Sequence, residues 1–183
     1  MEERLQRVLE NLADAVAERL AAGHRLLQRD LDALLSSAAA PNSETHETDP
    51  TGILAFHSRV RVHHQPPSRK NAPTTIQAGT IANDLLALRS LPSDGQRRVL
   101  VYFTDHDMAG YLSNPNNGLH RLYDLKPGKA YLLPARILEA RPKSFTKKLT
   151  NPVIDVRIRS LLKRDYHGGY GLRAWEVLGA DSD

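Results

Sequence analysis

The sequence predicts an α/β or α+β domain: a mixed β-sheet of about five strands with flanking helices, preceded by a long N-terminal amphipathic helix. Three observations lead there. The apolar residues of 2–36 recur at spacings of three and four, the period of a helix. Val99-Leu100-Val101-Tyr102-Phe103 is apolar on both faces, as a central buried strand must be. Residues 153–159 alternate, with Ile154, Val156 and Ile158 on one side and Asp155, Arg157 and Arg159 on the other, which is the two-residue period of a strand.

The helical stripe runs through Leu5, Val8, Leu9, Leu12, Val16 and Leu20, then resumes with Leu26, Leu27, Leu31, Leu34 and Leu35. Ala21-Ala22-Gly23 lies between the two runs and suits a bend. An unbroken helix over 2–36 would be about 50 Å long, more than a domain of this size spans. It must fold back or pair with a second copy, and in the second case 2–36 is the assembly element of a homo-oligomer. Residues 37–51 hold no apolar side chain larger than Ala and predict a flexible linker. The expected organisation is a helix over 1–36, that linker, a globular part over 52–178 and an acidic tail at 179–183.

Residues 53–64 predict a strand with Phe56, Val60 and Val62 on one face. His57, Arg59, Arg61 and His63 form a basic stripe on the other. Three prolines preclude regular structure in 65–73. Thr74 or Thr75 caps a helix to about Ser90, with Ile81, Leu85 and Leu88 on one face and Leu91-Pro92 as its stop. After the Ser93-Asp94-Gly95 turn, the buried strand at 99–103 leads into a short helix at 107–113. Lys126-Pro127-Gly128 is a turn signal. Tyr131–Leu138 predicts a strand whose Pro134 requires an edge position or a bulge. Gly168-Gly169-Tyr170-Gly171 allows a close approach of backbone to a ligand or neighbour and opens a last strand over 170–178.

The net charge of +4 is a cancellation. Residues 1–55 carry a net of −5, residues 56–119 a net of +3, residues 120–173 a net of +9 and the last ten residues a net of −3. A stretch of +9 is an electrostatic footprint for phosphate-bearing partners, nucleic acid first. It would equally serve as a solvated surface. The absence of cysteine excludes a disulfide framework, a zinc–thiolate or iron–sulfur site and a cysteine nucleophile. There is no P-loop, no G-x-G-x-x-G and no nucleophile elbow. The charged first 20 residues contain no signal-peptide apolar region, and no run is long enough to span a bilayer. The expectation is a cytoplasmic protein with no membrane partner.

The site expectation centres on Asp105-His106-Asp107, where the buried strand ends. Two carboxylates spaced i, i+2 can hold one hard cation, and Mg²⁺ takes such oxygen ligands together with waters and substrate phosphates. His106, between them, is placed to act as a general base. Asp105 would equally cap the following helix, with Asp107 in its first turn. For a nucleic-acid surface the candidates are His57, Arg59, Arg61, His63, Arg121, Lys126, Lys129, Arg157 and Arg159. Tyr111, Tyr123 and Tyr131 interleave with some of these basic residues, a pattern suited to stacking on unpaired bases.

Val99 to Gly110, an apolar strand followed by D-x-D-x-x-G, resembles the corresponding element of the TOPRIM fold of primases and topoisomerases. That family also carries a Glu at the end of an earlier strand. The acidic residues between Ile53 and Val99 are Asp84 and Asp94. Over 75–178, the Leu-rich helix, the strand into Thr104-Asp105 and Leu172-Arg173-Ala174-Trp175-Glu176-Val177 resemble small bacterial restriction-type or phage-defence proteins with a restriction-endonuclease-like fold. That resemblance implies an Asp acting with an acid-x-Lys on the next strand, for which Asp105 with Asp124-Leu125-Lys126 is the matching set. The function implied is nucleic-acid binding, with Mg²⁺-dependent phosphodiester hydrolysis if the protein is an enzyme. The alternatives are an oligomeric regulatory module and a small-molecule enzyme using a pocket at the end of the strand before Asp105.

Overall fold

Five strands, Phe56–His63 (β1), Arg97–Thr104 (β2), Ala130–Leu133 (β3), Val156–Asp165 (β4) and Gly171–Val177 (β5), form one sheet in the computed structural model, in the order β1-β2-β5-β4-β3. The model describes residues 2–39, 56–63, 74–92 and 95–179. β1 and β2 pair in parallel, and the other three pairings are antiparallel, so the sheet is mixed as expected. A parallel neighbour demands a crossover, and the helix Thr74–Arg89 (α3) supplies it between β1 and β2. β3 lies at an edge of the sheet.

Strand alternation divides the core between two faces. Leu100 and Tyr102 of β2, Val156 and Ile158 of β4, and Trp175 and Val177 of β5 point to one face. There they pack against α3 and against the helices His106–Ser113 (α4), His120–Tyr123 (α5), Ala135–Glu139 (α6) and Lys143–Thr146 (α7). Val99, Val101, Phe103, Leu172 and Ala174 point to the other. That face is covered by helices Glu2–Ala21 (α1) and Gln28–Ala39 (α2). A register shift at Ser160/Leu162 breaks the alternation of β4, so Leu161 and Leu162 join the α1–α2 side.

The N-terminal stripe is divided and used internally. At Gly23 (φ 75°) the chain leaves α1 through a Schellman pattern, in which Gly23 N–H donates to Leu20 O and His24 N–H to Arg19 O. Leu5, Leu9, Leu12, Val16, Leu31 and Leu35 are then buried against the sheet. At about 1.5–3 kcal/mol per fully buried aliphatic side chain, this stripe contributes much of the core on its face. Of the two arrangements open to the stripe, folding back and pairing with a second copy, the chain takes the fold-back, onto its own sheet. The helix also runs to Ala39, past the expected start of the linker, whose residues 40–51 lie outside the described ones.

Two further expectations are corrected. The strand expected over Tyr131–Leu138 ends at Leu133, because Pro134 cannot continue the ladder and instead opens α6 as its N-cap. β4 begins at Val156 rather than 153, which leaves Ile154 38% exposed. In the second half, α5, α6 and α7 are each four or five residues long, too short to show a period in sequence. The packing of α3 on α7 requires Gly79, where an added Cβ would lie 2.6 Å from the Phe145 carbonyl oxygen.

The free edge of β1 is closed by a side chain. The Gln28 amide nitrogen donates to Val60 O at 2.8 Å, and its oxygen accepts from Val62 N–H at 3.0 Å. Under α1, Glu176 of β5 receives Arg97 and Arg159, with a 2.7 Å contact from Arg159 Nη2. Arg159 also reaches Glu2 at 3.3 Å. Burial opposes ionisation of Glu176, but the hydrogen bonds from Arg97 and Arg159 outweigh it and hold the carboxyl below its ordinary value. A depressed folded-state pKa stabilises the fold above the unfolded value of 4.5, and that contribution is lost as the pH falls through the folded value. Urea midpoints measured between pH 7 and pH 3 should fall more for wild type than for Glu176→Gln. Parallel curves would show that Glu176 carries no acid sensitivity.

Among the described residues no helix is long and apolar enough to cross a membrane.

Candidate functional site

β2 ends where its neighbours also end: Thr104 pairs with His63 of β1 and with Gly171 of β5. Beyond it opens a cleft of about 300 Å³, lined by His106, Ser113, Tyr123, Asp165, Tyr170 and Arg173 among others. Arg173 is 1% exposed and fully engaged. Its Nε donates to Tyr123 O (3.0 Å), Nη1 to Arg164 O (2.8 Å) and Nη2 to Asp165 Oδ1 (2.6 Å). Its guanidinium also lies 4.2 Å from the centre of the Tyr123 ring. The Tyr123 and Thr104 hydroxyls are 3.0 Å apart. Arg173 thus ties the ends of β4, β5 and α5 together and forms the cleft floor.

The glycine-rich turn explains the close packing around His106. Gly169 has φ 77°, and a Cβ there would lie 2.4 Å from His106 Nδ1. At Gly171 a Cβ would meet the Tyr123 hydroxyl at 2.5 Å. The close approach expected from Gly168-Gly169-Tyr170-Gly171 is therefore to neighbours in the fold. Burial raises the pKa of Tyr123, partly offset by Arg173, and burial also raises that of Tyr166, whose hydroxyl donates to Ala13 O at 3.0 Å. Both tyrosines are neutral at physiological pH and serve as hydrogen-bonding groups. The cleft's carboxylates are engaged as well, Asp165 by Arg173 and Asp124 by Lys163 at 3.1 Å. His106 is exposed at the mouth.

Of the expected metal ligands, Asp105 is the N-cap of α4, with Oδ1 accepting from Met108 N–H at 3.0 Å. Asp107 is exposed in the first turn. Among the described residues no group of three or more His, Asp or Glu side chains converges as a metal centre. In the acid-x-Lys match, Asp124 caps the C-terminus of α5 and Lys126 is exposed ahead of the turn at Gly128 (φ 77°).

The basic stripe of β1 is tied to the helix that follows it. Arg59 and Arg61 face α3 and both bind Asp84, which is 1% exposed. Arg59 Nη1 donates to Oδ1 at 2.8 Å, while Arg61 donates through Nη2 to Oδ1 at 3.0 Å and through Nε to Oδ2. Beside them, His63 Nδ1 lies 2.8 Å from the hydroxyl of buried Tyr102, and His57 is half-buried. The sequence signal for this cluster is Asp84 itself, an acid set among Ile81, Ala82, Leu85 and Leu88 on the core face of a helix. Arg173 carries a similar signal as a lone charge between Leu172 and Ala174 of a strand. Of the remaining surface candidates, Arg159 is held by Glu176, whereas Arg121, Lys126, Lys129 and Arg157 are exposed.

Charge is separated across the sheet. Residues 119–153, which hold α5, β3, α6 and α7, carry eight Lys or Arg against two acids. Arg121, Lys126, Lys129, Arg136, Lys143, Lys147 and Lys148 among them are exposed. Residues 2–39 on the opposite face carry seven acids against five basic residues. No family model, no curated protein and no solved structure matches this chain.

Proposed function

We propose that this chain binds nucleic acid through the basic layer of residues 119–153. The observation that carries the reading is that charge separation: exposed cations gathered over one face of the sheet, with the acidic helices on the other. Lys143, Lys147 and Lys148 of the α7 region flank α3 on one side. Arg121, Lys126 and Lys129 come from the segment leading into β3. Lysines spread over a layer neutralise phosphates without selecting a base, so the contact is to the sugar–phosphate backbone.

Labelled single- and double-stranded DNA and RNA, titrated at about 50 mM and about 200 mM salt, read this surface directly. Binding should weaken steeply with salt, and the triple variant Lys143→Glu, Lys147→Glu, Lys148→Glu should weaken it at least tenfold at low salt. Negligible low-salt affinity, or a triple variant that binds like wild type, would overturn the reading. The finer reading, Mg²⁺-dependent phosphodiester hydrolysis at Asp105 and Asp107, is supported by the resemblance of Val99 to Gly110 to the D-x-D-x-x-G element of the TOPRIM fold. Adding Mg²⁺ to the same mixtures tests it, because Asp105→Asn keeps a capping residue while removing a ligand charge. Cleavage that persists unchanged in Asp105→Asn with Asp107→Asn would exclude that site. The cleft at the end of β2 favours a second reading, a small-molecule site with His106 at its mouth.

A further inference from the structure

We propose that Arg59 and Arg61, held in place by Asp84, form a phosphate-binding fork on the edge strand β1. A buried carboxylate needs one guanidinium for neutrality, yet Asp84 receives two, with the exposed Asp32 acting on Arg61 only electrostatically and through no printed contact. Both arginine side chains are also half-open to solvent, 43% exposed for Arg59 and 38% for Arg61.

The geometry of the unused donors supports the assignment. A guanidinium carries five N–H groups in a planar fork. Arg61 meets Asp84 side-on through Nε and Nη2, which leaves Nη1 unengaged among the described residues. Arg59 meets it through Nη1, which leaves Nε and Nη2 unengaged among the described residues. Asp84 is thus the positioning residue: it locks both guanidinia before any ligand arrives. A preset fork loses less side-chain freedom on binding than a surface lysine does. The carboxylate also holds the Arg61 pKa above its ordinary value, chiefly through the shared hydrogen bond, so the fork stays charged at any working pH. A tetrahedral phosphate, with several acceptor oxygens, is the anion that planar paired donors suit best.

The fork does not depend on the basic layer, and the two readings are separable. The probes are inorganic phosphate, followed by phosphorus NMR line broadening, and a short oligonucleotide with or without a 5′-phosphate. Arg59→Gln leaves Asp84 in its two-point contact with Arg61, so the variant should fold. Phosphate should bind wild type in the millimolar range or tighter and bind Arg59→Gln about tenfold more weakly, the value of one charge-assisted hydrogen bond. Arg59→Lys, which keeps the charge but not the fork, should fail to restore it. The Lys143→Glu, Lys147→Glu, Lys148→Glu variant should bind phosphate as wild type does, even where it loses the oligonucleotide. A 5′-phosphate dependence of oligonucleotide binding that vanishes in Arg59→Gln would identify a strand end as the source of the phosphate, and equal binding with and without it would identify free phosphate. No phosphate binding by wild type, or wild-type affinity in Arg59→Gln or Arg59→Lys, would overturn the fork.

Discussion

Arg59→Ala combined with Arg61→Ala should destabilise the fold by about 3–5 kcal/mol. The double variant removes both cations from Asp84, which is 1% exposed on the core face of α3. A carboxylate left buried without a partner bears its full desolvation cost, whereas an exposed ion pair contributes about 0–1 kcal/mol. Each single variant leaves one guanidinium in place and should cost much less than half of the double. Urea unfolding of the three variants measures the coupling. Additive, small losses would mean that water reaches Asp84 and that the cluster does not hold β1 to α3. A surface stripe, as the strand pattern alone suggests, would give losses below about 0.5 kcal/mol even in the double variant.

Trp175→Ala should cost a similar amount, about 3–5 kcal/mol. Trp175 lies on β5, the middle strand of five, and is 1% exposed. Its ring stacks on Tyr102 with centroids 5.9 Å apart and an interplanar angle of 23°. It also lines a small apolar void, about 10 Å³, with Ala78, Ile81, Ala82, Leu85 and Leu122. Removing the indole merges its own volume with that void, and a rigid sheet on one side and α3 on the other limit collapse. The check is the urea midpoint together with the near-ultraviolet circular dichroism band, since this is the only tryptophan in the chain. A loss below about 1 kcal/mol would show that α3 can settle onto the sheet.

Much of the framework was legible because it depends on local pattern. Val99–Phe103 is apolar on both faces and becomes the buried part of β2. Gly23 marked the bend between the two N-terminal helices and takes the left-handed conformation there. The cap role of Asp105 could be anticipated from its place before a short helix. What the pattern leaves open is long-range. The alternation of Arg59 and Arg61 with valines does not show their shared partner, which lies 23 to 25 residues away on another element. The apolar stripe of α1 looks the same whether it meets a second copy or its own sheet. Pro134 signals an interruption but does not say whether the chain resumes as strand or as helix. Arg173 gives no sign of its acceptors on Tyr123, Arg164 and Asp165, because they are assembled from α5 and β4.

The Gln28 amide on the outer rung of β1 bears on how this chain behaves in a crowd. An edge strand with free N–H and C=O groups is a template on which another chain can extend the sheet, copy after copy, toward fibrils. Here one primary amide presents a donor and an acceptor to Val60 and Val62 just as a peptide unit of a sixth strand would. At the opposite edge β3 offers four residues, bounded by Lys129 and Pro134, too short a run to nucleate such growth. A single glutamine thus occupies the rung at Val60 and Val62 where an incoming strand would pair.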